Sequence, residues 1–264
     1  MTSRRLIAPL AALIVSVSSL VGAGSAGAAS APLFGVVSQN IPVAEDYDLM
    51  GAAGVQTLRL QLGWPLVQAE EGTCQASAPI GVCDWRSYDR IIGGAAARGI
   101  EVFPYLLNVP SFIAQDPDTP PVRSAEARRS WSGFVEAAVK RYGADGAYWT
   151  TVYPVDHPGA TPVPIEHWQI WNEPSAAPFW HPRPKPREYG ELVKITSSTI
   201  TDVDPDAYIV LAGLFGTPVT EEGGIIQPEF LRALYRTPKI ERYFDAVAIH
   251  PYGPDLKRVR FQVK

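Results

Sequence analysis

The chain alternates short apolar runs with longer segments that are apolar on one side only. The short runs are rich in β-branched residues, which is typical of buried strands, and the segments between them repeat at helical spacing. Strands that alternate with helices in this way usually pair in parallel and are covered by the helices. The predicted strands are Leu33–Ser38, Val55–Leu62, Ile100–Leu107, Ile165–Trp171, Tyr208–Leu214 and Phe244–His250.

Capping residues and glycines indicate where several helices begin and end. Asp84 is predicted to cap a helix that ends near Gly99, and Ser124 precedes a helix that ends before Gly143. Further helices are predicted from about Arg187 to Asp202, from Pro228 to Arg236 and from near Asp255 onward. Two proline-rich segments, Pro110–Arg123 and Ala144–Pro164, are predicted to be long loops.

Two architectures fit this alternation, an open doubly wound sheet and a (β/α)8 barrel. A dinucleotide-binding sheet would carry a glycine-rich turn after its first strand, whereas this chain has Ser38–Pro42 there. In a barrel, residues at the carboxyl ends of all strands converge on one mouth. Polar and aromatic residues lie at several predicted strand ends, namely Arg59, Trp64, Asn108, Asn172, Glu173, His250 and Tyr252. The pattern therefore favours an incomplete (β/α)8 barrel that covers roughly strands one to six.

Composition excludes some classes of partner. The chain has 264 residues, of which 46% are hydrophobic, and a net charge of −4. This is enough apolar material for a full core, and no basic block is dense enough to follow a phosphate backbone, so a nucleic-acid partner is not expected.

The first 29 residues have the order of a secretory signal: Arg4 and Arg5, an apolar run, then small residues suited to cleavage. We therefore expect residues 1–29 to be a signal peptide, residues 30–264 to be the mature domain, and the protein to be secreted without a stable membrane anchor. The paired arginines also allow a twin-arginine export route. Cys74 and Cys83 are expected to form a disulfide in an oxidising compartment, and the histidine spacing indicates no metal site.

The segment Trp171-Asn172-Glu173-Pro174 carries the clearest chemical signal. A strand ends there in an amide and a carboxylate, and Pro174 disfavours helical geometry at Glu173. We expect an extended turn that points the carboxyl group into the mouth. The structural alternative is a glutamate that binds loop amides or caps a helix.

With this motif the chain resembles clan A glycoside hydrolases, the (β/α)8 superfamily that includes cellulases, mannanases and xylosidases. The resemblance implies that Glu173 is the general acid/base and that Asn172 contacts the sugar 2-hydroxyl. It also implies that Thr57–Leu60, which contains Arg59, and Ala248–Tyr252 surround the nucleophile. Glycosidic cleavage needs a proton for the leaving oxygen and a second carboxylate for the oxocarbenium-like sugar, which agrees with this assignment.

Other residues are candidates for substrate binding, each with a structural alternative. Arg59 either orients the nucleophile or pairs under the loops, and His250 either donates to substrate or nucleophile or is a buried, hydrogen-bonded histidine. Aromatic side chains stack on sugars but also pack in cores. The substrate-binding candidates are Asn172, Arg59, Asn108, Trp180, His250 and Tyr252, with Trp64 and Phe179 as further stacking candidates.

The resemblance places the nucleophile, a glutamate, on a seventh strand, whereas six strands are predicted. We therefore expect roughly the first three quarters of a barrel, inactive by itself, from a secreted retaining glycosidase that acts on oligo- or polysaccharides and uses no cofactor. One alternative is a non-catalytic carbohydrate-binding protein on a degenerate or truncated barrel. Another is a barrel lyase or isomerase with Glu173 as base, which would require a phosphate or metal site.

Overall fold

Six parallel strands form one sheet in chain order in the computed structural model. The structure describes residues 34–38, 40–78, 80–215 and 223–263. The strands are β1 (Gly35–Val37), β2 (Thr57–Gly63), β3 (Glu101–Leu107), β4 (His167–Ile170), β5 (Tyr208–Phe215) and β6 (Ala246–His250). Each strand pairs in parallel with the next, which confirms the six predicted strands and the incomplete α/β barrel. The predicted signal peptide, and Leu33 at the predicted start of β1, lie outside the described residues.

Helices fill the connections between the strands. They are α1 (Ala44–Ala52), α2 (Trp64–Val67), α3 (Arg86–Ala96), α4 (Ala125–Tyr142), α5 (Ala147–Thr151), α6 (Tyr153–Asp156), α7 (Pro186–Val203), α8 (Gln227–Leu234) and α9 (Leu256–Val263). The predicted helices correspond to α3, α4, α7, α8 and α9. Within the part of the chain that the structure describes, no helix is long and apolar enough to cross a bilayer.

Two local predictions need correction, and one of the longer helices of the structure was not predicted. Ala144–Pro164 contains α5 and α6 and is not a continuous loop, and α1 was not predicted because it buries only Tyr47 and so has no apolar stripe. The cap of α3 is Trp85, whereas the Asp84 carboxylate accepts from the backbone N–H of Arg86 at 3.1 Å. Ser124, by contrast, caps α4 and accepts from the Ala127 N–H at 3.0 Å.

Side chains alternate between the two faces of the sheet, as the pleat of a strand requires. On β2, Leu58 and Leu62 are fully buried under the helices, while Arg59 and Gln61 point to the barrel interior and line a cavity there. The same alternation on β4 buries Trp168 and turns Gln169 inward. Polar groups of neighbouring strands are thereby brought together on the concave face.

An aromatic layer packs between the sheet and the helices. The rings of Trp64 and Trp131 meet edge to face with centroids 5.6 Å apart, and Trp64 stacks on Phe134 at the same centroid distance. Trp131 Nε1 donates to Thr196 Oγ1 at 2.8 Å, which joins α4 to α7. This packing gives the strand ends a rigid support.

The loop before α3 is tied down covalently and by a buried ion pair. Cys74 and Cys83 form the predicted disulfide, with Cα atoms 5.1 Å apart. Arg141, which has no exposed surface, binds Asp89 through two hydrogen bonds of 2.9 and 2.7 Å, and also donates to the carbonyl of Ala76 in this loop. The Tyr142 hydroxyl donates to the same carboxylate at 2.8 Å.

The pair formed by His167 and Glu101, at the amino ends of β4 and β3, is expected to make the stability of the fold depend on pH. His167 Nδ1 lies 2.9 Å from Glu101 Oε1, and this hydrogen bond raises the pKa of His167. A raised folded-state pKa contributes stability below the unfolded value of about 6.5, and the contribution is lost as pH rises through the folded pKa. The loss of unfolding free energy in Glu101→Gln should therefore be larger at pH 5.5 than at pH 8.5 in urea titrations.

The exposed Glu241→Gln variant is the matched control and should show no such difference. Backbone N–H groups of Glu166 and His167 also donate to Glu101, so a pH-independent part of the loss is expected as well. An equal loss at both pH values would contradict the role of the His167 charge.

Candidate active site

Glu173 lies just past β4 with its carboxyl group at the concave face. The residue is 8% exposed and has a backbone φ of +42°. Pro174 keeps it out of the right-handed helical region, but the backbone adopts the left-handed region and not the expected extended one. Asn108 and Trp171, at the ends of β3 and β4, also have positive φ. Non-glycine residues in this region are strained, and such residues concentrate at functional sites.

His250, at the end of β6, binds the Glu173 carboxyl group. Its Nδ1 lies 2.6 Å from Glu173 Oε1. The imidazole ring lies against Gly213 of β5, where any Cβ would overlap the ring. A glycine within a strand often marks such a close approach. β4, β5 and β6 therefore act together to fix one position for this carboxyl group.

Arg59 orients the amide next to Glu173. Its Nη2 donates to Asn172 Oδ1 at 2.9 Å and its Nε donates to Gln169 Oε1 at 2.8 Å. The guanidinium group also lies 4.0 Å from the centre of the Tyr105 ring, and burial lowers the Arg59 pKa. The Asn172 oxygen accepts from Arg59, and its Nδ2 makes no hydrogen bond to another described residue, so this group can donate to a ligand. Arg59 lies in the middle of β2 and not at the strand end, where it was expected.

These residues surround one cavity of about 710 Å³. Tyr252 is 62% exposed at its edge, and its ring lies 5.7 Å from His250. Among the described residues that line the cavity, Glu173 carries the one carboxylate. The lining also includes Val37, Arg59, Gln61, Phe103, Tyr105, Leu107, Gln169, Asn172, Phe179, Ala248, Ile249 and His250.

The two tryptophans expected at the mouth are in the core. Trp180 has no exposed surface, because its ring packs against Trp171 and Tyr189 with centroids 5.7 and 5.8 Å away. Trp64 is equally buried in the aromatic layer. Neither can stack on a ligand in this arrangement, so both are removed from the candidate site, while Phe179 does line the cavity.

Asn108, expected to bind substrate, does not line the cavity but contacts a residue that does. Its side chain connects Gln61, which lines the cavity, with Asp118 in the loop after β3. Burial, and next the charge of Asp116, raise the pKa of Asp118. The candidates predicted from the sequence do not include Gln61, Tyr105, Gln169 or Gly213. The sequence did contain a signal for Gln61: polar residues occupy every second position of β2, and strand alternation places them on the same face as Arg59.

Within the described ranges, no group of three or more histidine, cysteine, aspartate or glutamate side chains is arranged to hold a metal ion. The arrangement offers a carboxyl group held by an imidazole, an amide donor beside it and an exposed aromatic ring. These groups suit proton transfer to, and hydrogen bonding with, a polar ligand.

The fold is an incomplete parallel α/β barrel, in which the described residues form six strands, and it is similar to the folds of several glycoside hydrolases. A family 39 glycoside hydrolase from the gut symbiont Bacteroides cellulosilyticus WH2 superposes with a TM-score of 0.55 and 21% identity, over 84% of this chain and 39% of that chain. A monomeric beta-xylosidase from Caulobacter crescentus CB15 superposes with a TM-score of 0.55 and 20% identity, over 84% of this chain and 42% of that chain. Endoglucanase Cel5A from Thermotoga maritima superposes with a TM-score of 0.52 and 19% identity, over 83% of this chain and 60% of that chain.

The chain thus spans between 39% and 60% of the length of these structures. No protein-family model and no curated protein sequence matches it. The similarity establishes the fold, and the chemistry of the cavity residues is the basis for assigning an activity.

Proposed function

We propose that this chain carries the acid/base half of a retaining glycosidase site. Glu173 delivers a proton to the leaving glycosidic oxygen and later takes one from the attacking water. The observation that carries the proposal is the position of Glu173, held 2.6 Å from His250 in the same cavity as Asn172, whose amide Arg59 orients.

The other cavity residues have roles that follow from their chemistry. Asn172 donates through Nδ2 to a sugar hydroxyl, a contact that can strengthen as charge develops in the transition state. Tyr252 stacks on a sugar ring, because its side chain is exposed at the edge of the cavity and the face of an aromatic ring is apolar. His250 fixes the Glu173 carboxyl group and keeps it directed at the ligand.

A retaining reaction needs a second carboxylate about 5 to 5.5 Å from the first. Glu173 is the one carboxylate among the described lining residues, and Glu229 lies in α8, outside the lining. Glu221 and Glu222 lie outside the described residues. We propose that the nucleophile is a glutamate on a seventh strand next to β6, so that residues 1–264 by themselves bind saccharides without hydrolysing them.

Export is part of the same proposal. The Cys74–Cys83 disulfide is compatible with an oxidising compartment, and residues 1–29 have the composition of a cleaved signal peptide. Residues 30–264 would then be the mature glycosidase domain, acting outside the cell on oligo- or polysaccharides.

Calorimetry with xylotriose, cellotriose and mannotriose tests saccharide binding by residues 30–264. The probes are chosen because the structural relatives include proteins described as a beta-xylosidase and an endoglucanase. We expect measurable binding of at least one probe, weakened about tenfold by Tyr252→Ala through loss of stacking. Tyr235→Ala removes a tyrosine that is 50% exposed but outside the cavity, and should bind as the parent does. No binding of any probe, or equal weakening by both variants, would contradict the proposal.

A second candidate function is saccharide binding without hydrolysis, which the single described carboxylate in the cavity favours. It predicts the same calorimetric result. The two functions separate when the chain is extended with the next part of its gene. Hydrolysis of an oligosaccharide by the longer protein supports the glycosidase, whereas binding alone supports the second candidate.

A further inference from the structure

A chain of three side chains joins the loop after β3 to the cavity. Asn108 Nδ2 donates to Asp118 Oδ1 at 2.8 Å, and Gln61 Nε2 donates to Asn108 Oδ1 at 3.0 Å. Of the three residues, only Gln61 lines the cavity that contains Glu173. The cavity is thereby connected to a loop whose sequence carries no recognisable motif.

The carboxylate sets the direction of this hydrogen-bond chain. An ionised carboxylate can only accept, so Asn108 turns its NH₂ group toward Asp118 and its oxygen toward Gln61. The Pro117 carbonyl accepts from the same NH₂ group at 3.4 Å, a longer contact that favours the same orientation. Gln61 must then donate its own NH₂ group to Asn108. The remaining atom, Gln61 Oε1, makes no hydrogen bond to any other described residue and is left as an acceptor at the cavity.

Two amides facing each other have no preferred direction without such an end group, because each can present either its oxygen or its nitrogen. Asp118 is well placed to impose one. Its N–H donates to Asp116 Oδ1 at 2.9 Å, and its carbonyl accepts from the His181 N–H at 3.0 Å. The backbone of Asp118 is thus held between the loops that follow β3 and β4.

We propose that Gln61 binds a sugar hydroxyl through Oε1, and that Asp118 is a positioning residue that gives the Gln61 amide this orientation through Asn108. The binding role of Gln61 rests on the proposed saccharide-binding function. An acceptor at this place selects ligands that offer a hydroxyl donor and disfavours ligands in which that hydroxyl is methylated, because the buried pairing would be lost.

Calorimetry on residues 30–264 with xylotriose, cellotriose and mannotriose tests the binding role. Gln61→Met keeps the approximate size and removes the acceptor, so affinity should fall roughly tenfold. Asp118→Asn removes the charged acceptor at 2.8 Å and leaves the longer contact to the Pro117 carbonyl, so the preference for one amide orientation weakens. If the reversed orientation comes to occupy half of the molecules, affinity should fall about twofold. In the double variant the Asp118 effect should vanish, because Asp118 acts only through Gln61. Parental affinity in Gln61→Met, or an Asp118 effect that persists in the double variant, would overturn the proposal.

Side-chain amide NMR tests the positioning role without any ligand. The Gln61 NH₂ signals, assigned by their loss in Gln61→Met, should shift in Asp118→Asn and stay unchanged in the exposed control Asp145→Asn. Unchanged Gln61 signals in Asp118→Asn would refute the positioning role. If the parent binds none of the three probes, the proposed function and the binding role of Gln61 fail together, while the positioning role is decided by these signals alone.

Discussion

Replacement of Glu173 by Gln is expected to slow hydrolysis of an unactivated oligosaccharide by about 10² to 10⁴-fold, the usual contribution of a general acid. The protein for this measurement is a longer form that hydrolyses the oligosaccharide. Gln is nearly isosteric with Glu and can still bind His250, but it has no acidic proton for the leaving oxygen. The change should lower kcat far more than it raises KM, since the missing interaction belongs to the transition state.

Leaving-group dependence separates loss of the acid from general damage. Dinitrophenolate is a weak base and leaves without being protonated. With a dinitrophenyl glycoside as substrate, the first step of the Glu173→Gln variant should therefore run near the parental rate. With an alkyl or sugar leaving group the same step should be slow. Glu166→Gln, an exposed position at the opposite end of β4, is the matched control and should behave as the parent does. Parental turnover of unactivated oligosaccharides by Glu173→Gln would exclude this carboxyl group as the proton donor.

The second large effect is expected in stability. Asp89→Asn should lower the free energy of unfolding by about 3 to 5 kcal/mol, because it leaves the guanidinium group of Arg141 buried without its counter-charge. Asn retains an oxygen for the Tyr142 hydroxyl, so the loss reports mainly on the ion pair. The measurement is urea unfolding at neutral pH with the disulfide intact.

Two further variants define the origin of this loss. Asp48→Asn breaks an exposed pair with Arg98 and should change stability little, since solvent screens such pairs. Replacing both buried partners, Asp89→Leu with Arg141→Met, should cost less than Asp89→Asn alone, because no uncompensated charge remains. A double variant that is less stable than the single one would show that the hydrogen bonds, including the bond to Ala76, matter more than the charges.

Some features of the cavity follow from a short stretch of sequence, whereas others depend on residues that are far apart in the chain. Trp171-Asn172-Glu173-Pro174 is a contiguous signal, and its place after a strand follows from the strand pattern around it. The partner of Glu173, by contrast, is 77 residues away in the chain and the partner of Asn172 is 113 residues away. His250 and Arg59 were predicted as candidates, but their pairing was not.

The misplaced aromatic residues have a related cause. Phe179 and Trp180 are adjacent aromatic residues, and the sequence around them does not reveal which of the two rings faces the cavity. The structure turns Trp180 inward because Trp171 and Tyr189 form an aromatic pocket there, while Phe179 lines the cavity. Loop side chains lack the periodicity that reveals the buried face of a strand or helix.

The sequence by itself determined the number and order of the strands, the main helices and the position of Glu173 at a strand end, because these depend on periodicity and turn residues over short distances. The tertiary structure alone decided that Gly213 admits the His250 ring, that Arg59 binds the Asn172 amide and that Asn108 joins Asp118 to Gln61. Those contacts depend on the register of neighbouring strands and on the packing of loops, which bring together groups that are far apart in the chain.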